Sequence, residues 1–209
     1  MAASSAELAT FIEAYAERIH AARDELTALD SAIGDADHGM NMDRGFGAVV
    51  EQLPALRQGG PGALFKGVGL KLISTVGGAS GPLYGTLFLR LGTSLGEAPT
   101  VDHAAFVAAW RAGLEGVVAR GKAVLDDKTM VDALEPAVVA LEAEGGTDWP
   151  AALDAAAAAA AAGRDRVTPL AARKGRASYL GERSAGHQDP GATSMTMLIE
   201  TFRDTLRET

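Results

Sequence analysis

Through most of its length this chain repeats one pattern: apolar residues three or four apart, closed off by a break that carries Gly, Pro or Asp. The clearest instance is Leu83, Leu87, Leu91 and Leu95. Residues at that spacing share one face of an α-helix, whereas a strand needs alternation at every second position. The pattern predicts eight helices. The first covers Ser5 to Leu26, with Leu8, Ile12, Tyr15, Ile19 and Leu26 on its apolar stripe and Glu13, Glu17 and Arg18 opposite. The second runs from about Met40 to Leu56, interrupted by Gly45 and Gly47, and stops at Gln58-Gly59-Gly60-Pro61-Gly62. The third carries Leu64, Val68, Leu72 and Val76, and the fourth carries the leucines above. The fifth spans about Val101 to Ala119, with Phe106, Trp110, Leu114 and Val117 aligned. In the sixth, Val131, Leu134, Val138 and Leu141 form the stripe, Thr129 and Asp132 are spaced as a capping box, and Pro136 is expected to bend the helix. A break at Glu144 to Asp148 leads to Trp149-Pro150 and a seventh helix containing the alanine run Ala155 to Ala162. The eighth opens at Asp189-Pro190, read as N-cap and first helical residue, and buries Met195, Leu198, Ile199, Phe202 and Leu206. No segment reads convincingly as a strand.

The fold expected is therefore all-α, a single domain over 1–209 whose mostly short connections favour antiparallel neighbours in an up-and-down bundle. With 47% hydrophobic but only 5% aromatic residues, the core should consist of Ala, Leu, Val and Ile. A net charge of −8 argues against a nucleic-acid surface, although a phosphate ligand stays open if bound metal reverses the local field. Cysteine is absent, which excludes disulfides and thiolate metal sites. The N-terminal residues lack the basic start and apolar core of a signal peptide, and no apolar run approaches ~20 residues, so a cytoplasmic protein without membrane spans is expected.

Chemistry concentrates in a few breaks. Asp30-Ser31-Ala32-Ile33-Gly34-Asp35-Ala36-Asp37-His38-Gly39 sets three carboxylates close together, an arrangement that repels itself unless a hard divalent cation binds them through oxygen. A solvated acidic loop or a helix cap would explain a bare Asp-x-Asp, but the extra Asp30, the flanking Gly34 and Gly39 and the adjoining His38 favour a metal site. In Val76-Gly77-Gly78-Ala79-Ser80-Gly81-Pro82, Ser80 is read as an N-cap ahead of a helix whose free N–H groups and positive dipole end suit an anion. The aperiodic stretch from Arg173 to Gly191 supplies Arg173, Lys174, Arg176 and Arg183, with Tyr179 and Leu180 as anchors. In an up-and-down bundle the loops after helices one, three, five and seven share one end. Those loops hold the aspartates, Gly77 to Ser80, Gly121 to Met130 and the basic stretch, and together they predict one metal–polyphosphate site. The near P-loop Gly116 to Ala123 is rejected, because Ala123 stands where a metal-binding hydroxyl is needed and Gly116 lies inside a helix. His20 and His103 fall on helical faces.

Several strings resemble the dihydroxyacetone kinase L subunit: Gly34-Asp35-Ala36-Asp37-His38-Gly39, Gly77-Gly78-Ala79-Ser80-Gly81-Pro82, Asp127-Lys128-Thr129-Met130, Gly175-Arg176-Ala177-Ser178-Tyr179-Leu180-Gly181-Glu182-Arg183-Ser184, and Gly186-His187-Gln188-Asp189-Pro190-Gly191-Ala192-Thr193-Ser194. The resemblance implies a barrel of eight antiparallel helices that binds ADP or ATP. It implies that Asp30, Asp35 and Asp37 hold two Mg²⁺ ions and that His38, Gly39, Met40, Asn41, Ala79, Ser80, Gly121, Met130, Arg176, Asp189, Pro190 and Gly191 surround the nucleotide. Arg176 would also stabilise charge that develops in transfer. The partners implied are a K subunit holding dihydroxyacetone and an M subunit whose phosphohistidine recharges ADP in place; a homodimer stays open. Asp126 departs from the family pattern, which has Gly at that point of the turn. Two other readings of the residues are an L-type subunit of an ATP-consuming kinase for another small ketose, and a non-catalytic helical module with structural Ca²⁺.

Overall fold

The computed structural model describes residues 2–143 and 148–207, so the break expected from Glu144 falls largely outside the described residues. The eight expected helices are present with altered ends. The first is two helices, α1 (Ser5–Ala21) and α2 (Arg23–Ile33), which meet at Ala22. The second begins at His38 rather than Met40, runs unbroken through both glycines as α3 (His38–Val50), and is followed by a single turn, α4 (Leu53–Leu56). After these come α5 (Pro61–Thr75), α6 (Ser80–Leu95), α7 (His103–Gly121), α8 (Val131–Ala143), α9 (Trp149–Val167) and α10 (Pro190–Leu206). A strand pair corrects the all-helical expectation in detail. β1 (Ala2–Ser4) runs antiparallel to β2 (Thr100–Asp102), with Ala3 opposite Val101 and both buried.

Side-chain caps fix several starts. Ser4 and Glu7 form a capping box on α1, and the carboxylates of Asp102, Asp148 and Asp189 accept the N–H groups of Ala105, Ala151 and Ala192 at the starts of α7, α9 and α10. At α8 the expected box is half formed: Asp132 accepts the Thr129 N–H at 2.8 Å, while the Thr129 hydroxyl accepts from Val131 at 3.2 Å.

Helices adjacent in sequence are adjacent in space, and α10 returns to α1 and closes the round. The α5–α6 pair shows the antiparallel sense. A Cβ on Gly69 would lie 2.7 Å from the Gly85 carbonyl oxygen, and one on Gly62 would lie 2.7 Å from that of Gly92. Backbones this close admit no side chain between them, which explains glycines that the apolar spacing left unexplained. All six Phe are buried, and Phe202 meets Phe11, Phe106, Trp110 and Trp149 edge-on or tilted. These aromatics thus sit at the centre of the aliphatic core instead of being replaced by it. Among the described residues no helix is long and apolar enough to cross a membrane.

Candidate nucleotide and metal site

Because consecutive helices run up and down, the turns after α2, α5, α7 and α9 meet at one end. They line a cavity of about 700 Å³. One wall is acidic. The chain leaves α2 at Ile33 and turns through Gly34 to Asp37, with Ala36 in the left-handed region at φ 61°. This turn brings one carboxylate oxygen from each of Asp30, Asp35 and Asp37 within 4.8 Å of the other two. Asp30 is nearly buried; its Oδ2 accepts the N–H groups of Asp37 at 2.8 Å and His38 at 3.1 Å. Its other oxygen lies over Gly34, where a Cβ would come within 1.9 Å of it. An all-oxygen, all-carboxylate donor set suits a hard divalent cation. Asp35 also pairs with the Arg176 guanidinium at 2.9 Å.

Opposite stands the start of α6. Gly78 turns with φ 65°, Ala79 is the N-cap residue, and the N–H groups of Ser80 and Gly81 fall in the first turn, where helices have no internal acceptor. Ser80 does not cap the helix, contrary to expectation. Its hydroxyl lies 3.1 Å from His38 Nδ1 instead. His38 is buried, and burial lowers its pKa against the opposing pull of Asp30 and Asp37. Its Nε2 lies 2.9 Å from the Ser194 hydroxyl.

The third side comes from the turn after α7, where Lys122, Asp126 and Lys128 all adopt positive φ. Gly121, Ala123, Thr129, Met130 and Val131 line the cavity there, together with Ile33, Leu83 and Val117 from the helices. This largely apolar part suits a flat ring, and the acidic and helix-terminal part suits a charged tail. Asp126, at φ 69°, donates its N–H to Asp132 Oδ1 at 2.5 Å and pairs with Arg166 at 3.1 Å.

The fourth side is the former aperiodic stretch, which contains a 3₁₀ segment (Arg176–Ser184) kinked at Gly181. Leu180 anchors it beside Ile33, Ala172 and Ala177. Tyr179 does not anchor it; it stands at the cavity wall with 85% of its surface exposed. Sequence reasoning overlooked what holds this stretch in place. The Lys128 ammonium is buried and donates to the carbonyl oxygens of Thr168, Leu170 and Ser184 at 2.9, 2.9 and 2.7 Å. Burial lowers its pKa, opposed by the nearby Asp189. Burial likewise pushes the Asp189 carboxyl up to about 7, against the Ala192 N–H that it accepts.

Of the residues singled out from the sequence, Asp30, Asp35, Asp37, His38, Ala79, Ser80, Gly121, Met130, Arg176, Asp189, Pro190 and Gly191 all line this cavity. Gly39, Met40 and Asn41 do not. Gly39 seats α3 against α2, where a Cβ would lie 2.0 Å from the Arg23 carbonyl oxygen. Met40 points outward, 53% exposed. Asn41 is buried behind Gly77 and accepts from Arg44 at 2.7 Å. Lys174 reaches the cavity, whereas Arg173, Arg183 and the exposed His187 are not among its lining residues.

Comparison with known proteins places the chain in a family. The DAK2 domain model matches residues 32–204. A protein of Escherichia coli (strain K12) called PEP-dependent dihydroxyacetone kinase, ADP-binding subunit DhaL, is 48% identical over 177 residues, 84% of each chain. The D-erythrulose kinase of Mycolicibacterium smegmatis is 36% identical over 94% of this chain, which spans only 35% of that protein. The crystal structure of the dihydroxyacetone kinase from C. freundii in complex with AMP-PNP and Mg²⁺ superposes with a TM-score of 0.74 at 27% identity, over 98% of this chain and 34% of that one. From the matched domain and the shared fold, the chain belongs to the DAK2-domain family, the family of the dihydroxyacetone kinase L subunit.

Proposed function

We propose that this chain is the ADP/ATP-binding subunit of a dihydroxyacetone kinase, and that it presents the γ-phosphoryl group of Mg²⁺-bound ATP to dihydroxyacetone held on a separate K subunit. The observation that carries the reading is one cavity in which the three clustered aspartate oxygens share walls with the start of α6 and with Arg176. Hard carboxylates, helix N–H groups and a guanidinium in one place suit a metal-bound polyphosphate, and neither cation nor anion alone needs all three. Asp30, Asp35 and Asp37 would hold Mg²⁺, two ions in the full reading; the metal supplies neutralisation of phosphate charge when bound. Ser80 and the α6 N-terminus would hold phosphoryl oxygens, and Met130, Gly121 and Leu83 would contact the base. Arg176 can leave Asp35 for the transferring group, because its side chain is 66% exposed and free to swing. Phosphoryl transfer depends chiefly on such positioning and neutralisation, so the cavity needs no general base of its own.

ADP would stay bound and be recharged in place by a phosphohistidine M subunit. Relatives named as PEP- or PTS-dependent DhaL subunits support this, at 48%, 42% and 41% identity. A second reading, a kinase domain for another small ketose that consumes free ATP, draws on the erythrulose kinases at 36% identity. One experiment separates them: denature a portion of the purified protein and identify the released nucleotide, then supply the native remainder with either phosphohistidine protein or free ATP. Retained ADP that only phosphohistidine recharges is the expected result. Turnover with ATP alone moves the assignment to the second reading, and a protein that neither retains nor binds nucleotide overturns both.

A further inference from the structure

Behind the cavity wall lies a buried chain of polar groups that no motif marked. Ser194, on α10, is fully buried, and its hydroxyl has three neighbours: the Tyr84 hydroxyl at 2.8 Å, His38 Nε2 at 2.9 Å and the Gly191 carbonyl at 3.2 Å. Tyr84 is itself buried, and Tyr15 beside it donates to the Ser194 carbonyl at 3.0 Å. A serine hydroxyl has one hydrogen to give and two lone pairs. The buried Tyr84 hydrogen needs an acceptor, and Ser194 Oγ is in reach. The Gly191 carbonyl has the helix ladder of α10 to serve it, through the N–H four residues on. The Ser194 hydrogen is therefore free for His38 Nε2, the nearer of its two acceptors.

That choice is felt at the cavity. If Ser194 donates to Nε2, the hydrogen of a neutral imidazole sits on Nδ1 and points at Ser80 Oγ, 3.1 Å away. Ser80 then accepts from the ring, and its own hydrogen can turn to a ligand. In the opposite order the Ser80 hydrogen goes to Nδ1, and an oxyanion would meet only lone pairs. We propose that Ser194, supported by Tyr84, is a positioning residue that holds His38 in its Nδ1–H tautomer and so turns the Ser80 hydroxyl into a donor for a phosphoryl oxygen. This rests on the nucleotide reading above for its ligand, but the tautomer is a property of the free protein.

The test uses the full chain labelled with ¹⁵N-histidine, with the His38 ring nitrogens read by NMR before and after Mg²⁺ and ADP are added. A protonated Nδ1 and an unprotonated Nε2 in both states are expected. In Ser194→Ala the ring should lose that preference and ADP affinity should fall about tenfold, the equivalent of one hydrogen bond. Ser194→Thr, which keeps the hydroxyl, should restore both. An Nε2–H or doubly protonated ring in the parent protein overturns the proposal, as does a Ser194→Ala variant with unchanged nitrogen shifts and affinity. Should Ser194→Ala fail to fold, the shifts of the parent decide alone. Should the parent bind no ADP, the nucleotide reading fails while the ligand-free shifts still decide the tautomer.

Discussion

The Oδ2 atom of Asp30 accepts the backbone N–H of Asp37 at 2.8 Å, which ties the first carboxylate of the acidic turn to the backbone of the last. Asp30 therefore has two tasks, shaping the turn and offering its remaining oxygen, whereas Asp37 has its carboxylate free for the cavity. The two positions should respond differently to substitution. Asp30→Ala leaves two N–H groups without their acceptor and should cost about 1–3 kcal/mol in urea unfolding, in addition to losing nucleotide. Asp37→Asn or Asp35→Asn should keep helicity, and metal-free stability within about 1 kcal/mol, while abolishing nucleotide retention. Equal losses of stability at all three sites would contradict this division.

Lys128 should be structural first. Replacing it by Met leaves three buried carbonyl oxygens short of a charged donor, and a hydrogen bond to a charged group contributes about 1.5–3 kcal/mol. We expect Lys128→Met to lower the unfolding free energy by about 3 kcal/mol and to expose the 3₁₀ segment to proteolysis near Gly181. An unchanged denaturant midpoint would show that the contacts add nothing.

Asp126 provides a test of strain. A non-glycine residue at φ 69° costs about 1–2 kcal/mol, which Asp126→Gly would relieve. The substitution also loosens the unfolded chain and removes a half-exposed ion pair with Arg166, each worth at most about 1 kcal/mol. These terms nearly cancel, so stability should change by less than about 1 kcal/mol. Asp126→Val, which keeps the strain and loses the pair, should destabilise by more than Asp126→Gly does.

Asp189 predicts a pH dependence. Its carboxyl ionises near 3.8 when unfolded and at about 7 when folded. Between those values the folded protein holds the extra proton, so stability falls as pH rises from about 4 to about 7 and then levels off. Asp189→Asn, which can still cap α10, should remove that contribution from the slope of unfolding free energy against pH. A slope unchanged by the substitution would place its origin elsewhere.

The helices were legible because burial imposes a period on the chain, and that period survives in Leu83, Leu87, Leu91 and Leu95. The shared end of the site was legible for a related reason, since short connections force neighbours to alternate in direction. The break at Ala22 was not, because an alanine there carries neither a missing N–H nor extra backbone freedom to mark it. Neither was the real partner of Ser80, which lies 42 residues away on another helix. Lys128 was equally silent. Its three acceptors are backbone carbonyls 40 to 56 residues away, and a carbonyl looks the same in every residue type.

The central claim is that the acidic turn and the start of α6 act together, with metal and nucleotide each needing the other. Thermal unfolding with Mg²⁺ alone, ADP alone and both together tests this most directly, in the parent and in Asp35→Asn. Ligand that binds only the folded state stabilises it by about 2.7 kcal/mol at a hundredfold excess over Kd. The account predicts a large rise in the midpoint only for the parent with both ligands, and none for Asp35→Asn. The same rise with ADP in the presence of a chelator, or in Asp35→Asn, would contradict it.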